Sequence, residues 1–412
     1  MISENAYIWI CLPGQTTPVI GGVVHWDGQQ YWFRYAKSYL ANAAAITLNL
    51  PGLPLGELTD APYPLDTDLN GPLRDASPDA WGRNILLREY AKQQPGREPG
   101  EIDFLLGAGP DRIGALDVTD TPHHYTPKTT RAAPLADLLQ ATDLIDRGQP
   151  LPATLDAALN HGTSVGGARP KALLNDGTHQ WIAKFSSSRD YVDIVGIEAG
   201  AMQLAAEAGL KVAPVRLETV LNRKVLLVHR FDRTATPQGT TKRHMLSALT
   251  LLGLDEYAVR HGHASYLALA DLLRKYAADF QRDGPELFRR MVFNMLIGNI
   301  DDHARNHACF WDGHQLTLTP AYDLCPQPRT GLSADQAMIA GDMGRQASLT
   351  NAVSQCRRFG LHPDEAQAHT DELVTLVRNR WQDLFREAGV PPNDLQYLAQ
   401  ATILSPALFY SL

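Results

Sequence analysis

Short runs of alternating apolar and polar residues dominate the first part of the chain. Gly21-Gly22-Val23-Val24 and Gln30-Tyr31-Trp32-Phe33-Arg34 flank an Asp27-Gly28 pair, which predicts a β-hairpin turning there. Asp79 to Tyr90 then reads as a helix, with Pro78 at its start and Gly96 and Pro99 beyond its end. Thr121 to Pro134 holds three prolines, four threonines and two histidines and predicts a linker.

Beyond it, Leu135 to Ile145 has the spacing of a short amphipathic helix. Two hairpins are predicted next. One pairs Lys171–Leu174 with Thr178–Phe185 across Asn175-Asp176-Gly177, and the other pairs Val212–Leu221 with Lys224–His229 across Asn222-Arg223. Between them Asp193–Ala208 reads as a helix closed by Gly209 in the left-handed conformation. From about residue 235 the period becomes mostly helical. Glu286–Ile297 lines up Leu287, Met291 and Met295 beside Phe288, Val292 and Leu296, a buried helix started by Pro285. Asp371–Ala388 places Leu373, Val377, Trp381, Leu384 and Phe385 on one face. A small sheet lobe with one helix, followed by a helical lobe, is the outline of a kinase.

Composition narrows the class. The 412 residues suffice for two or three domains, and 44% hydrophobic with 20% charged residues is ordinary for a folded soluble protein. A net charge of −8 argues against a large basic nucleic-acid surface. No apolar run approaches the length of a membrane span. The short apolar stretch Tyr7–Leu12 precedes the first basic residue, Arg34, so no secretory signal is read. Cys11, Cys309, Cys325 and Cys356 form no CxxC pair and read as reduced thiols of a cytoplasmic protein.

The chemistry concentrates in Asn299-Ile300-Asp301-Asp302-His303-Ala304-Arg305-Asn306. A phosphotransferase loop needs a carboxylate to orient and accept the substrate hydroxyl proton, and an amide oxygen a few residues on for Mg²⁺; Asp301 and Asn306 have that spacing. A second metal carboxylate is then required nearby. A hairpin from Ala308–Trp311 through Asp312-Gly313 to His314–Thr319 returns the chain, and Asp323 stands at its end. A lone Asp-x4-Asn is usually just a polar loop; the hairpin and second aspartate in order weigh against that. The competing chemistry is zinc hydrolysis, since His303 and His307 are four apart, but the glutamate of H-E-x-x-H is missing.

Three further segments fit the same chemistry. Gly162-Thr163-Ser164-Val165-Gly166-Gly167-Ala168-Arg169-Pro170-Lys171 can bring backbone amides close to phosphate, although it matches neither a Walker nor a Rossmann pattern and alone is an ordinary flexible loop. Lys184, after Trp181-Ile182-Ala183, resembles the Val-Ala-Ile-Lys strand lysine that holds phosphates, and Glu198 could pair with it; the bland alternative is a solvated surface pair. Leu226 to Arg233 leaves a buried strand where a kinase hinge would read adenine, or is simply a strand end with a charged loop.

In this order the motifs resemble the HipA family: Gly-Thr-Ser-Val-Gly-Gly-Ala-Arg-Pro-Lys, Ile-Ala-Lys-Phe, His-Arg-Phe-Asp-Arg, Asn-Ile-Asp-Asp-His-Ala-Arg-Asn and Pro-Ala-Tyr-Asp. Pro78–Arg83 and Asp111–Leu116 are similar to that family's first domain, so the resemblance covers most of the chain. It implies an α+β, protein kinase-like bilobal fold, with an accessory domain over residues 1–122, a linker over 123–134, a small lobe over 135–233 and a helical lobe over 234–412. It further implies an ATP- and Mg²⁺-dependent serine/threonine kinase, the toxin of a toxin–antitoxin system. Asp301 would be the base, Asn306 and Asp323 the metal ligands, and Lys184 the phosphate lysine. Val165, Gly166, Gly167 and Ala168 would cover the nucleotide phosphates, and Val228, His229, Arg230 and Phe231 would line the adenine site. His303, Arg305 and Tyr322 would complete the nucleotide site, with Arg305 in a lysine's usual place, and Ser164, or Thr163 beside it, would be autophosphorylated. The implied partners are a protein substrate, foremost an aminoacyl-tRNA synthetase, and a HipB-like helix-turn-helix antitoxin that alone touches DNA; no membrane partner is implied. A small-molecule phosphotransferase would use the same three residues. A non-catalytic corepressor should have lost a carboxylate that this chain retains.

Overall fold

The computed structural model describes all residues except 1–3, 51, 56–61, 66–68, 70, 128–132, 150, 153–154, 156–168, 178, 188–189, 328–333 and 410–412. The chain divides into two compact units. One holds residues 1–189, 219–246 and 311–313; the other holds 190–218, 247–310 and 314–412.

The first unit opens with a five-stranded antiparallel sheet. Its strands are β1 (Asn5–Ile10), β2 (Val19–Trp26), β3 (Tyr31–Tyr35), β4 (Tyr63–Leu65) and β5 (Leu116–Thr119), in the order β4-β3-β2-β1-β5. The predicted β2–β3 turn forms because Asp27 Oδ1 accepts the amides of Gln29 and Gln30, both at 2.8 Å, while Gly28 takes φ +98°. Gly22 is required in β2, since a Cβ there would sit 2.3 Å from the Arg34 carbonyl. The predicted helix runs Ala80–Gln93, and its Arg83 grips Glu101 with two hydrogen bonds of 2.5 and 2.6 Å. The start of the expected linker is anchored: Tyr125 lies 5.5 Å from Trp9 ring to ring, and its hydroxyl donates to Asp117.

A second antiparallel sheet in this unit contains β6 (Lys171–Asn175), β7 (Gln180–Phe185) and β9 (Arg223–His229), with Lys171 opposite Lys184. The helix Leu135–Asp146 lays Leu138 and Leu139 onto Ala172, Trp181, Ala183, Phe185, Val225 and Leu227. Each large side chain so buried contributes roughly 1.5–3 kcal/mol, which fixes the face of the strands and hence the direction in which Lys184 leaves β7.

Two local expectations are corrected. The strand before β9, β8, runs Val215–Val220 and does not begin at Val212, because Pro214 interrupts it and Val212 bridges Ala321 instead. The turn falls one residue early, on Leu221 and Asn222, both with positive φ (49° and 59°), the pairing that a two-residue turn between twisted strands demands. A hairpin of β10 (Arg233–Thr236) and β11 (Gly239–Lys242) also precedes the helices expected from residue 235.

In the second unit, helix Ile194–Glu207 is capped by Asp193, which accepts the Gly196 amide at 3.1 Å, and is closed by Gly209 at φ +75°. It packs on helix Pro363–Glu387 through Gly200, where a Cβ would lie 2.7 Å from the Phe385 ring. That second helix begins eight residues before the expected Asp371, because the Glu365 carboxylate accepts the His362 amide at 2.7 Å and starts it at Pro363. The buried helix likewise starts at Phe280 and not at Glu286. Asp279 caps it, and Pro285 sits in its second turn, where only the Gln281 carbonyl loses an intrahelical partner. The four cysteines are buried and unbridged. Among the described residues no helix is long and apolar enough to cross a membrane.

Candidate active site

The loop after helix Phe280–Ile297 is shaped from below by buried polar groups. Gly298 ends the helix at φ +70°, and a Cβ there would meet the Thr402 carbonyl at 2.6 Å. The next residues do not continue as a helix. Asn299 Nδ2 donates to Asn294 Oδ1 at 2.9 Å, and Asn294 Nδ2 donates to Asp302 Oδ2 at 2.7 Å. The Tyr266 hydroxyl donates to the same oxygen, and His307 Nε2 lies 3.0 Å from it. Burial, and then the Asp302 charge, hold the Tyr266 hydroxyl well above its ordinary pKa, so it remains a donor. The amides of Ala248 and Leu249 bond the carbonyls of His307 and Ala304, pinning the far side of the loop.

On this platform Asp302 is buried and Asp301 is exposed. Partial desolvation pushes the Asp301 carboxyl above its usual range, with the charges of Asp323 and Asp302 adding to this and His303 opposing it. Asn306 donates its Nδ2 to the Asp301 carbonyl at 3.3 Å, which turns Oδ1 away as an acceptor. Asp323 is delivered by a β-bridge: Ala321 donates to the Lys211 carbonyl at 2.8 Å and accepts from the Ala213 amide at 2.9 Å. Asp323 itself takes φ +60°, a conformation that a non-glycine residue holds only where its surroundings fix it, and such strain gathers at functional sites. The Tyr322 hydroxyl donates to the Arg305 carbonyl at 2.7 Å, fastening this segment to the loop. Asp301, Asn306 and Asp323 therefore come together in one unit. Two carboxylates and an amide oxygen suit a hard divalent cation such as Mg²⁺.

Arg305 has a partner within its own unit. Its guanidinium engages Glu256, so its charge is held by that carboxylate. His303 and His307 do not share a helical face, and His307 Nε2 is committed to Asp302; among the described residues no group of three or more potential ligands of the His, Cys, Asp and Glu types stands ready for a metal. The zinc alternative loses its geometric basis.

The remaining expected residues lie elsewhere in the chain. Lys184 stands on β7 in the first unit, and Glu198 is buried in helix Ile194–Glu207 of the second. Val228 is buried in β9 opposite Ile182. His229 follows it with His179 and Trp181 about its ring, and burial first, then His179, pull its pKa down. Arg230 gives its amide to the Gln180 carbonyl at 2.8 Å and its guanidinium to Asp232, so its backbone carbonyl is what it can turn to a ligand; Phe231 is half-buried. Thr163, Ser164, Val165, Gly166, Gly167 and Ala168 lie outside the described residues. Sequence reasoning missed the cage of Tyr266, Asn294, Asn299 and His307 around Asp302. Nothing in Asp301-Asp302 marks which aspartate faces inward.

Comparison with known proteins gives the family. The HipA-like C-terminal domain matches residues 163–381, and the HipA N-terminal domain matches 16–119. A Sinorhizobium fredii protein named "Putative kinase Y4mE" is 34% identical over 131 residues, 31% of this chain and 31% of its own. The serine/threonine-protein kinase toxin HipA of Shewanella oneidensis is 28% identical over 187 residues, 39% of this chain and 42% of that protein. The chain thus matches less than half the length of either relative. The solved HipA of Shewanella oneidensis, in complex with HipB and operator DNA, superposes with a TM-score of 0.66 at 19% identity, covering 92% of each chain, and shares its fold. With the C-terminal match alone spanning more than half of its residues, the chain belongs to the HipA family.

Proposed function

We propose that the chain is an ATP- and Mg²⁺-dependent serine/threonine protein kinase that acts in the cytoplasm as the toxin of a toxin–antitoxin pair. The observation that carries this reading is the convergence of Asp301, Asn306 and Asp323 above a loop whose buried side is fixed by the Asp302 network. In it Asp301 orients the substrate hydroxyl and accepts its proton, while Asn306 Oδ1 and Asp323 hold the metal. When bound, Mg²⁺ supplies charge neutralisation at the phosphates. Lys184 meets the α- and β-phosphates, Val165–Ala168 cover them, and Val228, His229, Phe231 and the Arg230 carbonyl line the adenine. His303, Arg305 and Tyr322 serve the nucleotide from the loop that carries Asp301. Arg305 would have to leave Glu256 before it could touch the γ-phosphate.

The reading includes an accessory domain over 1–122, a linker over 123–134, a small lobe over 135–233 and a helical lobe over 234–412. It also includes a HipB-like antitoxin through which DNA is reached, and an aminoacyl-tRNA synthetase as substrate. Incubation with labelled ATP and a cell lysate tests it: label should appear on a protein serine or threonine. Label confined to small molecules would favour a metabolite phosphotransferase.

Asp323→Ala should weaken Mg·ATP binding and turnover together, because the carboxylate belongs to the nucleotide site itself. Calorimetry showing unchanged affinity would remove the metal role. Ser164 is the proposed self-modification site. A phosphate there adds roughly −1.5 to −2 charges beside the triphosphate and should hold the loop off the nucleotide. Mass spectrometry after incubation with Mg·ATP should find phosphate on the peptide containing Thr163 and Ser164, and none on that peptide from Asp301→Asn.

A further inference from the structure

Four charged side chains, Arg112, Arg230, Asp232 and Arg233, are buried in the first unit. Arg230 Nε and Nη2 donate to Asp232 at 3.1 and 2.7 Å, and the same guanidinium donates to the carbonyls of Asp111 and Arg112, both at 2.8 Å. Arg233 donates to the Arg112 carbonyl at 2.6 Å, to Asp232 at 3.2 Å, and to Asp111 Oδ1 and Gln180 Oε1, each at 3.1 Å. The Gly114 amide completes the shell of Asp232 at 2.8 Å. Gly114 holds φ +77°, and a Cβ there would lie 3.1 Å from the Met245 amide. Arg112 is itself fully buried, its guanidinium donating to the carbonyls of Ala76 and Leu105. Burial pushes the Asp232 carboxyl up, but Arg230 and Arg233 outweigh it and keep it well below the usual carboxylate range.

Desolvating these charges is expensive, and an apolar cluster of the same volume would stabilise the fold as well or better. What the ionic arrangement adds is direction. Each guanidinium fork fixes the segment leaving β9 against one particular turn, Asp111–Gly114, of the N-terminal domain. The residues immediately before it, Val228 to Phe231, are those that the kinase reading gives to adenine.

We propose that Asp232 is a positioning residue of the nucleotide site, locking the adenine-facing segment onto the Asp111–Gly114 turn so that the N-terminal domain sets affinity for ATP. This rests on the kinase reading. Asp232 touches no ligand; it acts through Arg230 and Arg233. Loss of the lock frees the adenine edge and leaves the phosphate and metal groups where they are.

The test uses the full chain as Asp232→Asn and, because a buried change can prevent folding, also as Asp111→Asn. Asp111 is partly exposed and contributes a single side-chain bond to the lock, so that variant keeps its fold. Mg·ATP and inorganic tripolyphosphate are the two ligands, measured by calorimetry and by competition, with kcat at saturating ATP as a third readout. The Kd for Mg·ATP should rise on the order of 3- to 30-fold in Asp232→Asn, and less in Asp111→Asn. Tripolyphosphate affinity and kcat should stay within about twofold of the original chain, the scatter expected where no coupling exists. Equal weakening of both ligands would show general loosening and overturn the proposal, as would unchanged Mg·ATP affinity in whichever variants fold. An original chain that binds no Mg·ATP would refute the kinase reading first, and the lock with it.

Discussion

Asp301→Asn is expected to lower phosphate transfer by about 10²–10⁴-fold, the usual contribution of a positioned general base. The change should leave the rest of the site standing. Asp301 is exposed, and Asn306 bonds its backbone carbonyl and not its side chain, so the loop keeps its turn and Asn306 keeps Oδ1 outward. Asp323 reaches the site through the Ala321 bridge, independently of residue 301. Mg·ATP affinity and melting temperature should therefore match those of the original chain while single-turnover transfer collapses. Full activity in the variant would remove Asp301 from the base role. A parallel loss of nucleotide binding would instead make it a metal ligand.

How much of this was legible in the sequence follows from which interactions are local. The Asp27-Gly28 hairpin, the Gly209 stop and the order of two strands, a helix and two strands from Lys171 to His229 rest on residues a few positions apart, and they form as expected. Element starts were harder. The helix beginning at Phe280 is set by Asp279, and the long helix by the His362–Glu365 pair, while the prolines and apolar faces that drew attention lay inside them. The turn after β8 moved one residue because strand twist favours two successive left-handed residues, even when one is Leu221. At the site, the Asp-x4-Asn spacing and the hairpin that follows it pointed to Asp301, Asn306 and Asp323, and the family resemblance supplied their roles. Spacing could not select Tyr266 or Asn294, which meet Asp302 from 36 and 8 positions away, nor Glu256, which holds Arg305 from 49. The union of Asp111–Gly114 with Arg230–Arg233, more than a hundred residues apart, was hidden for the same reason.

Asp302→Ala should do what Asp301→Asn does not: lower stability and activity together. One carboxylate oxygen of Asp302 accepts from Tyr266 and Asn294 and faces His307, in a place where all four side chains are almost wholly removed from solvent. Deleting it strands these groups, each at a cost of about 1–3 kcal/mol, so a total on the order of 3–5 kcal/mol is expected. At about 2–4 °C per kcal/mol for a unit of this size, the melting temperature should fall by on the order of 10 °C. Asn294 also holds Asn299, so the disturbance reaches the first residue of the loop, and its release shifts Asp301 and Asn306 together. A displacement of roughly 1 Å can cost about 10²-fold in rate. Transfer should fall by about that factor, and Mg·ATP should bind more weakly because Asn306 has moved. Asp302→Asn separates shape from charge. Its amide oxygen can still accept from Tyr266 and Asn294, while its NH2 occupies the position of Oδ1, which has no partner in the cage. It should fall between the original chain and Asp302→Ala in both melting temperature and rate. Calorimetric melting alongside single-turnover transfer decides the matter: if Asp302→Ala melts within about 2 °C of the original chain, a shift worth less than about 1 kcal/mol, the cage does not hold the loop.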